Sequence, residues 1–161
     1  MGELKQIYEE YGQPVYRFLL RLTGDPDLAE DLLQETFYQA LVHIGKFEQR
    51  SSLYTWLCQI CKNAWLKEMR RSSRIADIPM EELHLPNTAP TPEESTIQKE
   101  QLYILRQAIR RLDEPYKEVF ILHVFGGLKF KDIAAANGKS ESWARVTYYR
   151  ARLQIAKEVI E

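Results

Sequence analysis

Residues 47–71, FEQRSSLYTWLCQICKNAWLKEMRR, bring aromatic rings, amides and cations together on a short polar loop and a helical pattern. Side chains of these types make no covalent bonds. They recognise. An aromatic ring stacks on an unpaired base for roughly 1–3 kcal/mol, and a neighbouring lysine or arginine holds a phosphate. The chemistry on offer is capture of nucleic acid with its strands apart. At about 100° per residue, Leu53, Trp56, Leu57, Ile60, Cys61 and Ala64 share one apolar stripe, with Tyr54 and Trp65 at its flanks. Thr55, Gln59, Lys62, Asn63, Leu66 and Arg70 fall opposite. An ordinary core helix with a solvated basic face would carry the same pattern, so the rest of the chain has to decide.

The elements that would position these residues are helical throughout. A first helix is expected from about Leu4 to Leu22, bent at Pro14 and ended by Gly24. Asp25-Pro26 supplies an N-cap and a first-turn proline for a second helix to about Ile44. Gly45 stops it, and Ser51 or Ser52 caps the aromatic helix, which runs to about Ser72. Four of the seven prolines (Pro79, Pro86, Pro90 and Pro92) then mark a linker that could span about 50–60 Å if extended. Thr91-Pro92-Glu93-Glu94 opens a further helix with Ile97, Leu105, Ile109 and Leu112 on its apolar side. Asp113-Glu114-Pro115 restarts the chain into a helix ending at Gly126-Gly127, and two more follow, about Lys129 to Ala136 and Ser140 to Ile160.

Charge is distributed unevenly along the 161 residues. The total of −1 hides five acidic and no basic residues at 76–95, against twelve basic and eight acidic at 96–161. A near-neutral sum therefore leaves a nucleic-acid partner open, because charge acts patch by patch. A hydrophobic content of 45% is enough to build cores. With only two cysteines, no signal-like N-terminus and no long apolar run, the expectation is a soluble cytoplasmic protein without membrane insertion. Cys58 and Cys61 form a C-x-x-C. Inside a helix a disulfide at that spacing would be strained, and His43, His84 and His123 are scattered away from any metal-ligand spacing. No metal and no cofactor is expected.

Two further patterns carry function. In the second helix Ala29, Leu33, Ala40 and Ile44 fall on one side with Phe37 beside them, while Asp27, Asp31, Gln34, Glu35 and Tyr38 cluster on another. No lysine or arginine lies between Asp25 and Ile44. The acidic side could be a solvated face, or it could accept an arginine-bearing helix of a partner. At 128–153, LKFKDIAAANGKSESWARVTYYRARL, small residues and an Asn-Gly turn separate two helices. On the second, Ala144, Tyr148, Ala151, Ile155 and Val159 are spaced to face inward. Ser142, Arg145 and Tyr149 face out with Val146 at their edge, and Arg150 and Arg152 flank them. That layout suits a recognition helix, with base readers in the first turns and arginines on phosphates. A helical hairpin with a basic surface is the plainer alternative.

With DLAEDLLQETFYQAL (27–41), Phe47 and SSLYTWLCQICKNAW, and LDEPYKEVFILHVFGGLKFKDIA with SESWARVTYYRAR in this order, the chain resembles bacterial sigma factors, specifically the extracytoplasmic-function (ECF) branch of the sigma-70 family. The resemblance covers nearly the whole chain. It implies an all-α fold of two small helical domains. A region 2 bundle at 1–74 and a region 4 helix-turn-helix at 92–161 would be joined by a flexible acidic linker at 75–91. It implies RNA polymerase core as partner, through the β′ clamp helices and the β flap, together with promoter DNA and an anti-sigma factor. Asp31, Gln34, Glu35 and Tyr38 would bind the core. Phe47, Glu48, Gln49, Arg50, Ser51 and Ser52 of the 45–52 loop would serve the minus-ten element, with Trp56, Lys62, Asn63 and Arg70. Lys139, Ser142, Arg145, Val146, Tyr149, Arg150 and Arg152 would serve the minus-thirty-five element. The chain departs from many relatives at Lys67, where an aspartate is common, and at Trp143-Ala144, where Thr-Val is common.

Other readings predict different behaviour. A stand-alone helix-turn-helix regulator would bind promoters tightly without polymerase and leave the acidic face unused. A metal- or redox-responsive sensor would need Cys58 and Cys61. An enzyme is not expected, since the chain has no phosphate-binding glycine loop, nucleophile–base pair or ligand cluster.

Overall fold

A computed structural model of the chain describes residues 2–75 and 93–160. Among them lie α1 (Gly2–Thr23), α2 (Pro26–His43), a 3-10 turn (Ile44–Lys46), α3 (Leu53–Ile75), α4 (Glu93–Arg111), α5 (Tyr116–Val124), α6 (Phe130–Ala136) and α7 (Glu141–Ile160), with no strand. The all-α expectation holds. The expected linker, apart from Ile75, and the Thr91-Pro92 helix start lie outside the described residues, as does the side chain of Ile97.

Local chemistry sets the helix ends. Gly24 takes φ 68°, a left-handed conformation that costs glycine nothing, and its amide closes α1 on the Leu20 carbonyl at 2.8 Å. Asp25 then caps α2, accepting from the Asp27 and Leu28 amides at 3.0 and 3.4 Å. Ser52 is the cap of α3: its hydroxyl accepts the Thr55 amide at 3.1 Å. Ser140 does the same for α7, accepting from Trp143 at 3.2 Å. Between α6 and α7, Gly138 (φ 66°) turns the chain.

Helix α1 runs through Pro14 as one element and buries Val15, Phe18, Leu19 and Leu22 at 3- and 4-residue spacing. These meet Ala29, Leu33, Phe37 and Ala40 of α2, and Leu57, Cys61 and Trp65 of α3. Thr36, also fully buried, satisfies its hydroxyl against the Cys61 sulfur at 3.4 Å. In the second half, Ile109 of α4, Val119 and Leu122 of α5, Ile133 of α6, and Ala144 and Ala151 of α7 are buried together. The small residues let α6 and α7 approach closely.

The two halves do not stand apart. Their buried residues form one continuous apolar cluster. Gly126 sits against Phe18, where a Cβ would come within 3.2 Å of the ring. Around that contact, Arg21 Nε donates to the Phe125 carbonyl at 2.9 Å and the Tyr54 hydroxyl to the Gly126 carbonyl at 3.3 Å. Arg106 Nε donates to the Leu22 carbonyl at 2.7 Å, and its Nη2 to that of Arg21 at 3.3 Å. These bonds occupy carbonyls at the end of α1 that have no partner within their own helix.

Three expectations from periodicity need correction. Ile44 is exposed rather than buried, because α2 ends at His43 and the chain leaves the core through the 3-10 turn. Val159 is exposed, since α7 runs past its last buried contact at Ile155. On α3, Thr55, Lys62 and Leu66 are buried although they lie opposite the apolar stripe, and Trp65 is wholly enclosed. A single helical wheel shows one packing surface, and α3 has two.

Candidate nucleic-acid interface

The acidic face of α2 is presented as its spacing implies. Asp31, Gln34, Glu35 and Tyr38 are exposed, Tyr38 by 60%. Across a groove of about 840 Å³ between α2 and α3, Asp31 and Glu35 face Asn63, Lys67 and Arg70. The sequence reading found no basic residue within α2, and the basic tail of α3 now stands opposite. The two walls keep their charges largely for other partners. Gln39 donates to Glu35 at 2.9 Å, and Arg71 pairs with Glu68 of its own helix at 2.7 Å.

The loop leading into α3 is built rather than slack. The Phe47 amide closes on the Ile44 carbonyl at 3.2 Å, and Gln49 adopts φ 57°, an uncommon left-handed conformation for a residue with a side chain. Glu48 and Arg50 pair at 2.8 Å, both exposed. Ser51 donates to the Ser52 carbonyl at 3.3 Å. Phe47 packs on Trp56 with ring centroids 5.2 Å apart and a 41° tilt, leaving both half-buried. Asn63 and Arg70 are exposed beside this aromatic pair. Lys62 is not: its ammonium reaches Glu118 of α5 at 3.0 Å and Glu114 at 3.3 Å, and Gln59 adds a bond to Glu118 at 3.3 Å. The structure therefore groups the loop with Trp56 and Asn63, and turns Lys62 toward the second half.

On α7, Ser142, Arg145, Val146, Tyr149, Arg150 and Arg152 are all exposed, and Lys139 precedes them in the exposed turn. Arg145 is held by Glu141 at 2.8 Å and lies over the Phe130 ring, 5.3 Å from its centroid. Phe130 in turn stacks on His123 at 4.2 Å, whose Nδ1 donates to the Leu128 carbonyl at 2.9 Å. A second hollow, about 500 Å³, is lined by Ser142, Trp143, Val146 and Arg150 together with Pro115 and Tyr116 from the start of α5. Trp143 packs against the core from the edge of this hollow. Sequence reasoning missed Glu141 and Phe130 as holders of Arg145, and Pro115 and Tyr116 as part of the reading face. The Glu141–Arg145 spacing of i, i+4 was a usable signal. Nothing local pointed to Pro115.

Cys58 and Cys61 are free, buried thiols on the core side of α3. Burial pushes the Cys58 thiol up to about 12 from its ordinary 9.0, and raises Cys61 well above it. Both stay protonated near neutrality and are poor nucleophiles or metal ligands. The folded state holds the Cys58 proton more tightly than the unfolded chain. Its contribution to stability is thus complete below pH 9.0 and is lost as the pH climbs toward about 12. At pH 8, iodoacetamide is expected to leave both thiols unmodified in the folded chain and to alkylate both in denaturant. Mass spectrometry reads the outcome, and rapid modification of the folded chain would revive the redox reading.

The family model described as Sigma-70 region 2 matches residues 7–75, and that described as Sigma-70, region 4 matches residues 102–155. The ECF RNA polymerase sigma factor SigM of Bacillus subtilis (strain 168) is 32% identical over 155 residues, covering 94% of this chain and 92% of that protein. This chain belongs to the ECF branch of the sigma-70 family. The RNA polymerase sigma factor YlaC of the same organism is 30% identical over 158 residues, covering 97% of this sigma factor and 91% of that one. In fold, this sigma factor is similar to the sigma factor RpoE of Bartonella quintana, solved in complex with the anti-sigma factor NepR. There the TM-score is 0.58 at 24% identity, covering 99% of this chain and 98% of that one. Sigma factors are non-catalytic initiation factors, so the surfaces described above are docking and reading surfaces. Among the described residues no helix is long and apolar enough to cross a membrane.

Proposed function

We propose that this sigma factor acts in the cytoplasm, directs core RNA polymerase to promoters and opens them, with no bond-making chemistry of its own. The observation that carries the residue assignment is the grouping, within the segment matching region 2, of an exposed acidic face, a basic wall across one groove, and an aromatic loop. Asp31, Gln34, Glu35 and Tyr38 dock on a basic helical surface of the polymerase. The 45–52 loop, with Phe47 and Trp56 behind it and Asn63 and Arg70 beside it, receives bases of the minus-ten element as they unstack. Trading DNA stacking of about 1.4 kcal/mol per step for pocket and aromatic contacts makes that melting accessible. From α7, Ser142, Arg145, Val146 and Tyr149 read the minus-thirty-five element, while Lys139, Arg150 and Arg152 hold phosphates. The modules meant here are 1–74 and 92–161, and the relatives' partners suggest that an anti-sigma protein restrains them.

In vitro transcription with purified bacterial core enzyme and genomic fragments is the direct test, and start sites absent without this chain are the expected result. No initiation on any template would reject the function. In the same assay Arg145→Ala should reduce discrimination at one position of the upstream element by roughly 1–3 kcal/mol, about tenfold or more. A uniform loss across all upstream sequences would instead make Arg145 a phosphate contact.

A further inference from the structure

Lys62 is 5% exposed, yet it belongs to the helix that faces the melted strand in the proposed reading. Its two carboxylate partners come from the other module. Glu118 is itself 8% exposed and is also bound by Gln59. Glu114, the second partner, immediately precedes Pro115, which lines the hollow beside the recognition helix. A second contact lies elsewhere on the same boundary. Arg50 of the 45–52 loop reaches the turn between α6 and α7, its Nη1 3.7 Å from where a Cβ on Gly138 would stand. The two DNA-reading surfaces are therefore one or two helix diameters apart, on the order of 10–25 Å. Elements centred 25 base pairs apart, as minus ten and minus thirty-five are by definition, lie about 85 Å apart on B-DNA at 3.4 Å per step. The packed arrangement cannot engage both.

We infer that this packing is a latched resting state, in which the Glu118 carboxylate occupies Lys62 in the place of a nucleic-acid phosphate and the upstream and downstream readers are held too close together to share a promoter. This rests on the proposed function for its consequence, and on the geometry alone for the latch. The boundary suits a device that must release. Beyond the Phe18–Gly126 contact it is held by one buried ion-pair cluster and a few hydrogen bonds to carbonyls, from Arg21, Tyr54 and Arg106. Water and phosphate can replace each of these. Docking on the polymerase, with both modules captured at separate points, favours the open form by whatever binding energy the closed form cannot provide. Free chain binds promoter weakly because only its open fraction is competent.

Small-angle scattering of the full chain tests the latch without reference to transcription. The unaltered chain should show a radius of gyration near 15 Å, the value for a compact chain of this length. Glu118→Arg, which sets two cations against each other, should enlarge it clearly, and the exchanged pair Lys62→Glu/Glu118→Arg should restore it. Arg21→Ala/Arg106→Gln offers a second route that leaves the ion pair in place and should also open the chain. That variant loses two positive charges, so electrostatics alone would weaken its binding to DNA. The latch predicts tighter binding to a promoter fragment without polymerase, by about fivefold if most of the chain is closed at rest. An unaltered chain that is already extended, a Glu118→Arg chain that stays compact, or an opened variant that binds promoter more weakly each overturns the inference. If the variants open as described but no RNA starts with core enzyme, the functional reading falls and the latch stands.

Discussion

Asp31→Lys combined with Glu35→Lys is expected to abolish association with core RNA polymerase while leaving the fold intact. Both side chains are exposed on one face of α2, a helix with no lysine or arginine of its own. Their replacement removes two attractions to a cationic partner helix and adds two repulsions. Close charge pairs across protein interfaces couple by about 1.5–7 kcal/mol. Two pairs at the low end already amount to about 3 kcal/mol, or roughly a hundredfold in affinity. Exposed substitutions away from buried partners change folding stability by only about 0.5 kcal/mol, so the melting temperature should barely move. Fluorescence titration of labelled chain with core enzyme measures the first effect and circular dichroism the second. Unchanged affinity would reject this face as the docking surface.

Trp65→Ala is expected to be the most damaging single core substitution in the first half of the chain. Trp65 is fully enclosed among α1, α2 and α3, and its indole Nε1 has no hydrogen-bond partner among the described residues. Emptying such a site costs about 3–5 kcal/mol. At 2–4 °C per kcal/mol for a chain of this size, the melting temperature should fall by roughly 6–20 °C. Trp65→Phe should cost less than half as much. It loses some packing but also removes a buried donor whose missing bond costs about 1–3 kcal/mol. Thermal melts of the two variants side by side decide the point, and equal losses would show that the unpartnered N–H carries no penalty.

Local signals were legible wherever one helix face met one neighbour. Ala29, Leu33, Phe37 and Ala40 are buried as their spacing requires, and Gly24, Asp25, Ser140 and Gly138 end or start helices as their side chains allow. Asp31, Gln34, Glu35 and Tyr38 are exposed on α2, and Ser142, Arg145, Val146 and Tyr149 on α7. Less legible was α3, where apolar periodicity marks one stripe. Lys62 and Thr55 are polar and therefore read as solvated, yet both are buried, because a long aliphatic stem with a paired head can pack as an apolar group does. No pattern within a single helix announces a counter-charge more than fifty residues away.

Helix type, helix ends, the order of the motifs and family membership follow from the chain's own residues, because they depend on interactions between near neighbours and on motif spacing. How the halves meet was decided only in three dimensions. The seating of Phe18 on Gly126, the burial of Lys62 against Glu118, and the approach of Arg50 to the α6–α7 turn join residues far apart in sequence. Such contacts depend on the shape of two assembled surfaces, which no local regularity encodes.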